Sequence, residues 1–231
     1  MPVERIDLWV VDLDRWSGTA PDPALLTDQD RARAARLRDP VAGRRLLARR
    51  AATRSVVAGE LALDVGELVI DRRCPTCGGS DHGRPFVRGA DRAFSVSSSG
   101  PIAAIAVSGQ PVGVDVELLR ADVTPAATAL CEREQRALRT PDAGRSAGEA
   151  FLRLWTAKEA VLKAGGQGLA DDPSRIDATG LLTADSATVV GDGRPWVVQL
   201  LAWDAPPGDP LVLAVADAVG AEVVRRTVGD R

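Results

Sequence analysis

The chain has 231 residues, of which 45% are hydrophobic, and a formal net charge of −3. This length and apolar content allow a substantial buried core, in one large domain or two smaller units, and argue against a disordered chain. The acidic balance does not favour a protein that neutralises long runs of nucleic-acid phosphates, although a local basic pocket is compatible with it.

The lack of a recognisable targeting signal and the small number of cysteines favour a cytoplasmic protein. Residues 1–14 lack the basic region and apolar run of a secretory signal, and no apolar segment approaches the length of a membrane span. The three cysteines argue against a disulfide framework. We therefore expect a cytoplasmic location, with no membrane partner.

The first hundred residues predict a strand, an interrupted helix and two further strands. The alternation and β-rich composition of residues 5–13 favour a strand. The other predicted elements are a helix at about 24–38, which breaks at Pro40 and resumes to about residue 60, and strands near 67–72 and 93–97.

A cysteine-containing segment lies between these last two strands. Cys74, Cys77 and the single histidine, His82, have the spacing of a zinc knuckle. No fourth ligand is evident nearby, because the remaining cysteine, Cys131, lies far along the chain in a predicted helix. The sequence therefore favours a tight loop without metal and leaves a structural zinc site as the alternative.

The segment GVDVELL at 113–119 places two acidic residues on the same face of a predicted strand. Its valines alternate with Asp115 and Glu117. A half-buried strand with one wet face explains this pattern by itself. Alternatively, a third carboxylate such as Glu159 would complete an oxygen-only site of the kind that Mg²⁺ prefers, which substrate phosphates usually share.

The only two lysines, Lys158 and Lys163, lie in a helix predicted from Glu149 to Lys163. Trp155, Glu159 and Lys163 are spaced by four and therefore share one face, with Lys158 beside Glu159. An exposed Glu159–Lys163 ion pair is the simpler interpretation. The use of arginine at all other basic positions favours the alternative that these compact ammonium groups contact phosphoryl oxygens.

The second half of the chain repeats the order of strand, helices and strands without close sequence similarity to the first half. Its predicted elements are strands within 101–119, helices near 124–139 and 147–164, and short strands near 187–190, 195–203 and 210–217. We predict an α+β fold of two related lobes.

Several motifs together resemble the Sfp-type 4′-phosphopantetheinyl transferases. GVDVE is followed about forty residues later by WTAKEAVLKAGGQGL, and GRP at 83–85, FSVSSSG at 94–100 and the arginine-rich stretch 30–47 add to the likeness, which covers most of the chain. The resemblance implies two pseudo-symmetric lobes, each with helices on a small, mainly antiparallel sheet. Coenzyme A would contact residues 1–100, while residues 101–231 would hold the magnesium-binding acids and the catalytic helix.

The resemblance also implies an activity. A protein of this type transfers the 4′-phosphopantetheine group of coenzyme A to a serine of acyl or peptidyl carrier proteins, commonly those of polyketide and nonribosomal peptide synthesis, and releases adenosine 3′,5′-bisphosphate. It implies Mg²⁺ at Asp115, Glu117 and Glu159, with Glu159 also as general base, and phosphate contacts from Lys158 and Lys163. Two lobes in one chain lead us to expect a monomer.

The implied coenzyme A contacts lie mainly in the first lobe. Arg45 and, less directly, Arg31 and Arg33 align with basic residues that face the 3′-phosphate, and Arg84 falls in the family's Gly-basic-Pro motif. An ordinary arginine-rich helix face is the alternative interpretation. Ser97 matches a serine of the family's Asn-x-Ser-His-Ser loop, whereas Ser98 replaces its histidine, so one charged contact to the 3′-phosphate is lost unless an arginine compensates.

Two further predictions concern the segment between the acidic motifs. Glu134 matches an acid near the family's active site, with a surface role as the alternative, and the helix near 124–139 is the candidate region for carrier contact. A non-catalytic coenzyme A or carrier-protein binding module is the alternative function, which the two lysines and three carboxylates argue against. A zinc-knuckle nucleic-acid binder is disfavoured by the acidic balance.

Overall fold

The computed structural model describes residues 4–18, 23–74, 77–79, 83–120, 123–140, 144–166, 171–191, 193–203 and 210–227. Within these ranges the chain forms ten β-strands and five α-helices. The strands are β1 (Arg5–Asp12), β2 (Ile70–Arg73), β3 (Arg84–Val87), β4 (Ala93–Ser99), β5 (Ile102–Ser108), β6 (Val112–Leu118), β7 (Ser186–Gly191), β8 (Arg194–Leu201), β9 (Leu211–Asp217) and β10 (Glu222–Thr227). The helices are α1 (Leu13–Gly18), α2 (Asp28–Ala35), α3 (Pro40–Glu60), α4 (Glu132–Leu138) and α5 (Ala147–Gly165).

Two four-stranded sheets form the centre of the molecule. The first has the strand order β10-β1-β5-β4 and the second the order β6-β9-β8-β7. The neighbouring strands are antiparallel except β1 and β10, which run parallel. Strands β2 and β3 form a separate antiparallel pair.

The two sheets pack face to face between two long helices. One face of the first sheet packs against α3, and one face of the second sheet packs against α5. The inner faces meet in a shared apolar core that includes Ile6, Leu8, Val114, Val116 and Val215. The predicted α+β fold, with helices on small and mainly antiparallel sheets, is therefore confirmed.

The sheets do not follow the predicted division into residues 1–100 and 101–231. Strands β5 and β10 lie beyond residue 100 and pair in the first sheet. The boundary between two lobes at residues 100 and 101 stays a prediction. The sequence did not reveal the pairing of β10 with β1.

The predicted helix near 124–139 is shorter in the structure. Only a 3-10 turn at Ala127–Ala129 and α4 at Glu132–Leu138 are helical there. Cys131 lies at the N-cap of α4 with extended backbone, and its N–H donates to Glu134, which ends any continuous helix at that point. In the described part of the chain, no helix is both long enough and apolar enough to cross a membrane.

Candidate active site

Helix α5 holds one side of the candidate site, and its ends are defined by local sequence. The hydroxyl of Ser146 accepts a hydrogen bond from the backbone N–H of Glu149 at 3.1 Å, as expected of an N-cap residue. Gly166 ends the helix in the left-handed region with φ of 82°, which glycine adopts readily. The helix predicted to end at Lys163 therefore ends two residues later, at Gly165.

Gly113 allows α5 to pack directly on β6. A Cβ at this position would lie 1.8 Å from the carbonyl oxygen of Ala160 and 2.6 Å from the backbone nitrogen of Ala164. No side chain fits at these distances. The glycine that precedes Val114 and Asp115 thus brings the acidic face of β6 against the helix that carries Glu159 and Lys163.

Asp115 is the most enclosed of the predicted metal ligands. It is 3% exposed, and its Oδ1 accepts hydrogen bonds from Lys163 Nζ at 2.6 Å and from Ser97 Oγ at 2.6 Å. Within the described structure its Oδ2 is buried and has no hydrogen-bond partner. Burial raises the pKa of Asp115, although Lys163 and Ser97 act in the opposite direction.

Glu117 and Glu159 complete the acidic group. Glu117 is half-buried and accepts a hydrogen bond from Ser99 Oγ at 2.8 Å. Glu159 is 9% exposed, and among the described residues its buried Oε1 has no hydrogen-bond partner. Burial raises the pKa of Glu159; Lys163 opposes this effect, and the charges of Asp115 and Glu117 add to it. Burial also raises the pKa of Glu117, with Ser99 opposing and Asp115 adding.

The structure thus brings together five of the predicted residues: Ser97, Asp115, Glu117, Glu159 and Lys163. The charge of Asp115 raises the pKa of both Glu117 and Glu159, and the ammonium group of Lys163 lowers it. Within the described residues, one buried oxygen of Asp115 and one of Glu159 have no hydrogen-bond partner. Buried polar atoms are normally hydrogen-bonded, so these oxygens are open to a further ligand. Oxygen-only donors of this type fit a hard divalent cation.

Lys158 does not join this group, which corrects the expectation that it contacts phosphates. Its side chain is 0% exposed, and its Nζ donates to Glu134 Oε2 at 2.5 Å and to the carbonyl oxygen of Ala129 at 2.8 Å. The physical reason is helical geometry: five residues correspond to a rotation of about 140°, so Lys158 and Lys163 point to different sides of α5.

Glu134 is buried, so the surface role that the sequence left open for it is excluded. It is 0% exposed, and it lies with Lys158 instead of the three acids. Its second oxygen accepts the backbone N–H of Ala178 at 2.9 Å. Glu134 and Lys158 therefore form a buried ion pair that joins α4 and α5.

Comparison with known proteins finds a matching family and two related sequences. A model of the 4′-phosphopantetheinyl transferase superfamily matches residues 111–216, which include β6, α5 and β9. A protein of Nostoc sp. (strain PCC 7120), 4′-phosphopantetheinyl transferase HetI, is 33% identical over 177 residues, which cover 72% of this chain and 71% of that protein. The chain belongs to the 4′-phosphopantetheinyl transferase family. A second relative, 4′-phosphopantetheinyl transferase gsp of Aneurinibacillus migulanus, is 35% identical over 91 residues, which cover 39% of this chain and 38% of that protein.

Among the arginines predicted to bind coenzyme A, Arg84 contacts the helix of this transferase that carries Glu159 and Lys163. Its NH1 donates to the carbonyl oxygen of Ala164 at the end of α5, at 3.3 Å. Arg84 also lines a cavity of about 660 Å³ between the β2–β3 pair and that end of α5. The other lining residues are Arg73, Cys74, Gly78, Phe86, Gly165 and Gly166.

Arg45 and Arg31 are engaged elsewhere on the transferase. Arg45 makes a bidentate ion pair with Asp14, with distances of 2.7 and 2.6 Å. Arg31 donates to the carbonyl oxygen of Leu26 at 3.2 Å. Arg45 therefore offers a ligand less free charge than the sequence suggested.

Arg49, which the sequence did not single out, lies at the position where the family's histidine is missing. Its NH1 donates to Ser98 Oγ at 3.1 Å. Burial and the nearby guanidinium groups of Arg50, Arg72 and Arg33 lower the pKa of Arg49 to about 10. These four residues form a group that we call the arginine cluster. The signal available in the sequence was the density of arginine in 30–50, which does not say which of them converge.

Asp30 is the carboxylate nearest to the arginine cluster. Its oxygens lie 3.4 Å from Arg50 Nε and 3.9 Å from Arg54 NH2. Arg72 is held by the carbonyl oxygen of Gly83 at 3.1 Å. One carboxylate beside four guanidinium groups leaves a net positive charge that suits a phosphate.

The cysteine loop has defined backbone contacts. The N–H of Cys74 donates to Gly79 O and that of Gly78 to Cys74 O, both at 2.9 Å. The N–H of Gly79 donates to Cys77 Sγ at 3.4 Å. His82 lies outside the described residues, so the zinc alternative stays a prediction.

Within the described residues, one trio of ligand atoms lies within 4.8 Å of one another: those of Cys131, Glu134 and Asp177. Both oxygens of Glu134 already accept hydrogen bonds, and one of them contacts the ammonium group of Lys158. A cation at this trio would have to displace that ammonium group. The ligand oxygens of Asp115, Glu117 and Glu159 do not all lie within 4.8 Å of one another, so these side chains would have to move closer together around a cation.

Proposed function

We propose that this transferase moves the 4′-phosphopantetheine group of coenzyme A to a serine hydroxyl of an acyl or peptidyl carrier protein, depends on Mg²⁺ and releases adenosine 3′,5′-bisphosphate. The observation that supports this most directly is a pair of buried oxygens, one on Asp115 and one on Glu159, which lack a hydrogen-bond partner in the described part of the chain and lie near the ammonium group of Lys163. Together with the family relationship, it favours a reaction at a pyrophosphate. Mg²⁺ held by Asp115, Glu117 and Glu159 would neutralise pyrophosphate charge when bound.

The proposed reaction is a displacement at phosphorus. The serine oxygen forms a bond to the phosphorus that carries the pantetheine arm, while the bond from that phosphorus to the bridging pyrophosphate oxygen breaks. Adenosine 3′,5′-bisphosphate leaves with the electron pair of the broken bond, and Glu159 accepts the serine proton as general base. Lys163 stabilises the negative charge that develops on the leaving group.

Two basic regions support coenzyme A as the donor. The arginine cluster offers positive charge to the 3′-phosphate, with Arg33 among its members as the sequence predicts and with Arg49 in place of the missing histidine. The cavity beside Arg84 adjoins the end of α5, two residues beyond Lys163. It is large enough for part of an extended cofactor. Ser97 and Ser98 are neighbours on β4, where Ser98 contacts Arg49 and Ser97 contacts Lys163.

Carrier proteins are the proposed partners, and the segment 124–139 remains the predicted carrier contact. Its helix α4 presents Arg133 and Arg136 with side chains about 70% exposed. Such groups can attract an acidic carrier surface. The cytoplasmic location and the monomeric state are likewise predictions.

The function is tested by intact-protein mass spectrometry. An apo carrier protein is incubated with this transferase, coenzyme A and Mg²⁺, and a parallel sample contains EDTA. We expect a mass gain equal to one phosphopantetheine group, which disappears on chelation. No gain with several acyl and peptidyl carriers, while coenzyme A still binds, would contradict the proposal and support a non-catalytic binding module.

A further inference from the structure

Strand β4 carries a row of serines that reaches across to the second sheet. Within its own sheet, β4 is hydrogen-bonded to β5. Ser95, Ser97 and Ser99 are alternate residues of β4, and their side chains contact β6 of the second sheet. Ser95 Oγ accepts the backbone N–H of Val114 at 3.1 Å, and Ser99 Oγ accepts that of Leu118 at 3.2 Å. We call these three residues the serine row. At the junction of the two sheets, the hydroxyl groups of Ser95 and Ser99 take the place of the backbone carbonyl groups that a neighbouring strand would offer to β6.

Two members of the serine row also donate to the proposed metal ligands. Ser97 Oγ lies 2.6 Å from Asp115 Oδ1, and Ser99 Oγ lies 2.8 Å from Glu117 Oε2. The direction of these bonds is fixed, because a hydroxyl group has one hydrogen to donate. Ser99 already accepts a backbone N–H and Ser97 accepts Lys163 Nζ at 3.1 Å, so each hydroxyl hydrogen is left for the carboxylate.

These hydrogen bonds fix one oxygen of each carboxylate and leave the other for a ligand. In Asp115 the bonded oxygen is Oδ1, and the buried oxygen without a partner in the described structure is Oδ2. Glu117 has a longer side chain with more rotatable bonds, so its orientation depends more on such a contact. Partners of metal-binding carboxylates commonly affect metal affinity in this way.

We propose that Ser97 and Ser99 are positioning residues, which orient Asp115 and Glu117 for the divalent cation from the opposite sheet. This inference rests on the proposed function for the identity of the cation, and it gives Ser99 a role that the sequence did not suggest. Ser99 is the sharper test, because Ser97 also contacts Lys163. The cation site is thereby assembled across the junction between the two sheets.

The test compares Ser99→Ala with Ser95→Ala as a matched control. Both changes remove a hydroxyl that accepts a backbone N–H of β6, but only Ser99→Ala also removes a hydrogen bond to an acid. Binding of Mn²⁺ to the purified protein, followed by electron paramagnetic resonance, is the first measurement. We expect Ser99→Ala to raise the Kd for Mn²⁺ by about tenfold or more. Ser95→Ala should leave it near the wild-type value, and Ser99→Thr, which keeps the hydroxyl, should restore it.

A second measurement is the Mg²⁺ concentration that gives half-maximal transfer. We expect Ser99→Ala to raise it in parallel with the Kd for Mn²⁺ and to keep substantial turnover at saturating Mg²⁺. Equal weakening by Ser95→Ala would indicate a general effect of the sheet junction and overturn the proposal. So would wild-type Mn²⁺ affinity in Ser99→Ala, or the absence of Mn²⁺ binding to the wild-type protein. If the wild type binds Mn²⁺ and transfers nothing, the proposed function fails while the positioning role is still decided by the Kd values.

Discussion

The carboxylate of Glu159 has two proposed roles. Together with Asp115 and Glu117 it would hold the cation, and it would also accept the proton of the carrier serine. We predict that Glu159→Gln lowers kcat for transfer by about 10²–10⁴-fold, since an amide of the same shape can neither accept the serine proton nor balance cation charge. Steady-state kinetics with an apo carrier protein measure the change. Glu149→Gln, at the first turn of the same helix and beside Arg145, is the matched control and should retain activity. Wild-type turnover in Glu159→Gln would remove Glu159 from the mechanism.

Arg49 is expected to decide how well the enzyme distinguishes coenzyme A from dephospho-coenzyme A. Arg49→Met removes a buried guanidinium group from a cluster with excess positive charge, so kcat/KM for coenzyme A should fall by about tenfold to a hundredfold. The value for dephospho-coenzyme A, which lacks the 3′-phosphate, should change little. Arg45→Met is the control, because Arg45 is paired with Asp14. An equal loss with both substrates would instead indicate a structural role for Arg49.

The chemistry-bearing residues were predictable from the sequence to different degrees. Asp115, Glu117, Glu159 and Lys163 could be identified because each lies in a short motif whose local geometry is regular. The contact of Arg49 with Ser98 joins residues 49 positions apart and depends on how α3 lies on the first sheet. No local pattern specifies that contact.

Helix α5 and strand β6 must approach closely for the acids to meet. Gly113→Ala would place a methyl group against the backbone of α5, where no flexible side chain can move aside. We expect the free energy of unfolding to fall by about 2 kcal/mol or more, with reduced Mn²⁺ binding in the folded fraction. Urea denaturation followed by circular dichroism measures the change. Gly109→Ala, where the nearest atom lies 3.8 Å from the added Cβ, should be close to neutral. Equal stability of the two variants would mean that α5 can shift without cost.

The Lys158–Glu134 pair is expected to serve stability. Lys158→Met leaves Glu134 charged and buried, so the free energy of unfolding should fall by about 3–5 kcal/mol. Below its melting temperature, the folded variant should bind coenzyme A with a Kd near that of the wild type, measured by isothermal titration calorimetry. If Lys158→Met kept the wild-type stability but bound coenzyme A weakly, we would instead infer that Lys158 contacts a phosphate of coenzyme A, as the motif predicts.

Most elements were recoverable from periodicity, whereas their partners were not. The alternation in 101–119 and the spacing of Trp155, Glu159 and Lys163 located β5, β6 and α5 to within about two residues. Strand β10 pairs in parallel with β1 from the far end of the chain. Its position depends on tertiary contacts such as those of the buried Asp7 with Arg226 and Arg92. Contacts between residues that are far apart in the chain produce no periodic pattern in the sequence.

The molecule as a whole is organised around the apolar core between its two sheets. Residues from both sheets contribute to this core. In chain order, the first sheet takes β1, β4 and β5 from before the strands of the second sheet and β10 from after them. The site for the proposed cation lies at the same junction, since β4 supplies the serine row and β6 the acids. Folding of either half and formation of the site are therefore expected to be coupled.

This coupling predicts that the halves do not fold separately. A fragment of residues 1–100 has β1 and β4 but lacks β5, which lies between them and hydrogen-bonds to both. It also lacks β10, which pairs with the other edge of β1. Without β5, two strands that are not neighbours would have to close an apolar gap and expose unpaired backbone groups. We expect poor chemical-shift dispersion in the amide NMR spectrum of this fragment, whereas the full chain should give a well-dispersed one. A dispersed spectrum from residues 1–100 alone would show instead that the first lobe is an independent folding unit, with its sheet paired differently from the one in the intact molecule.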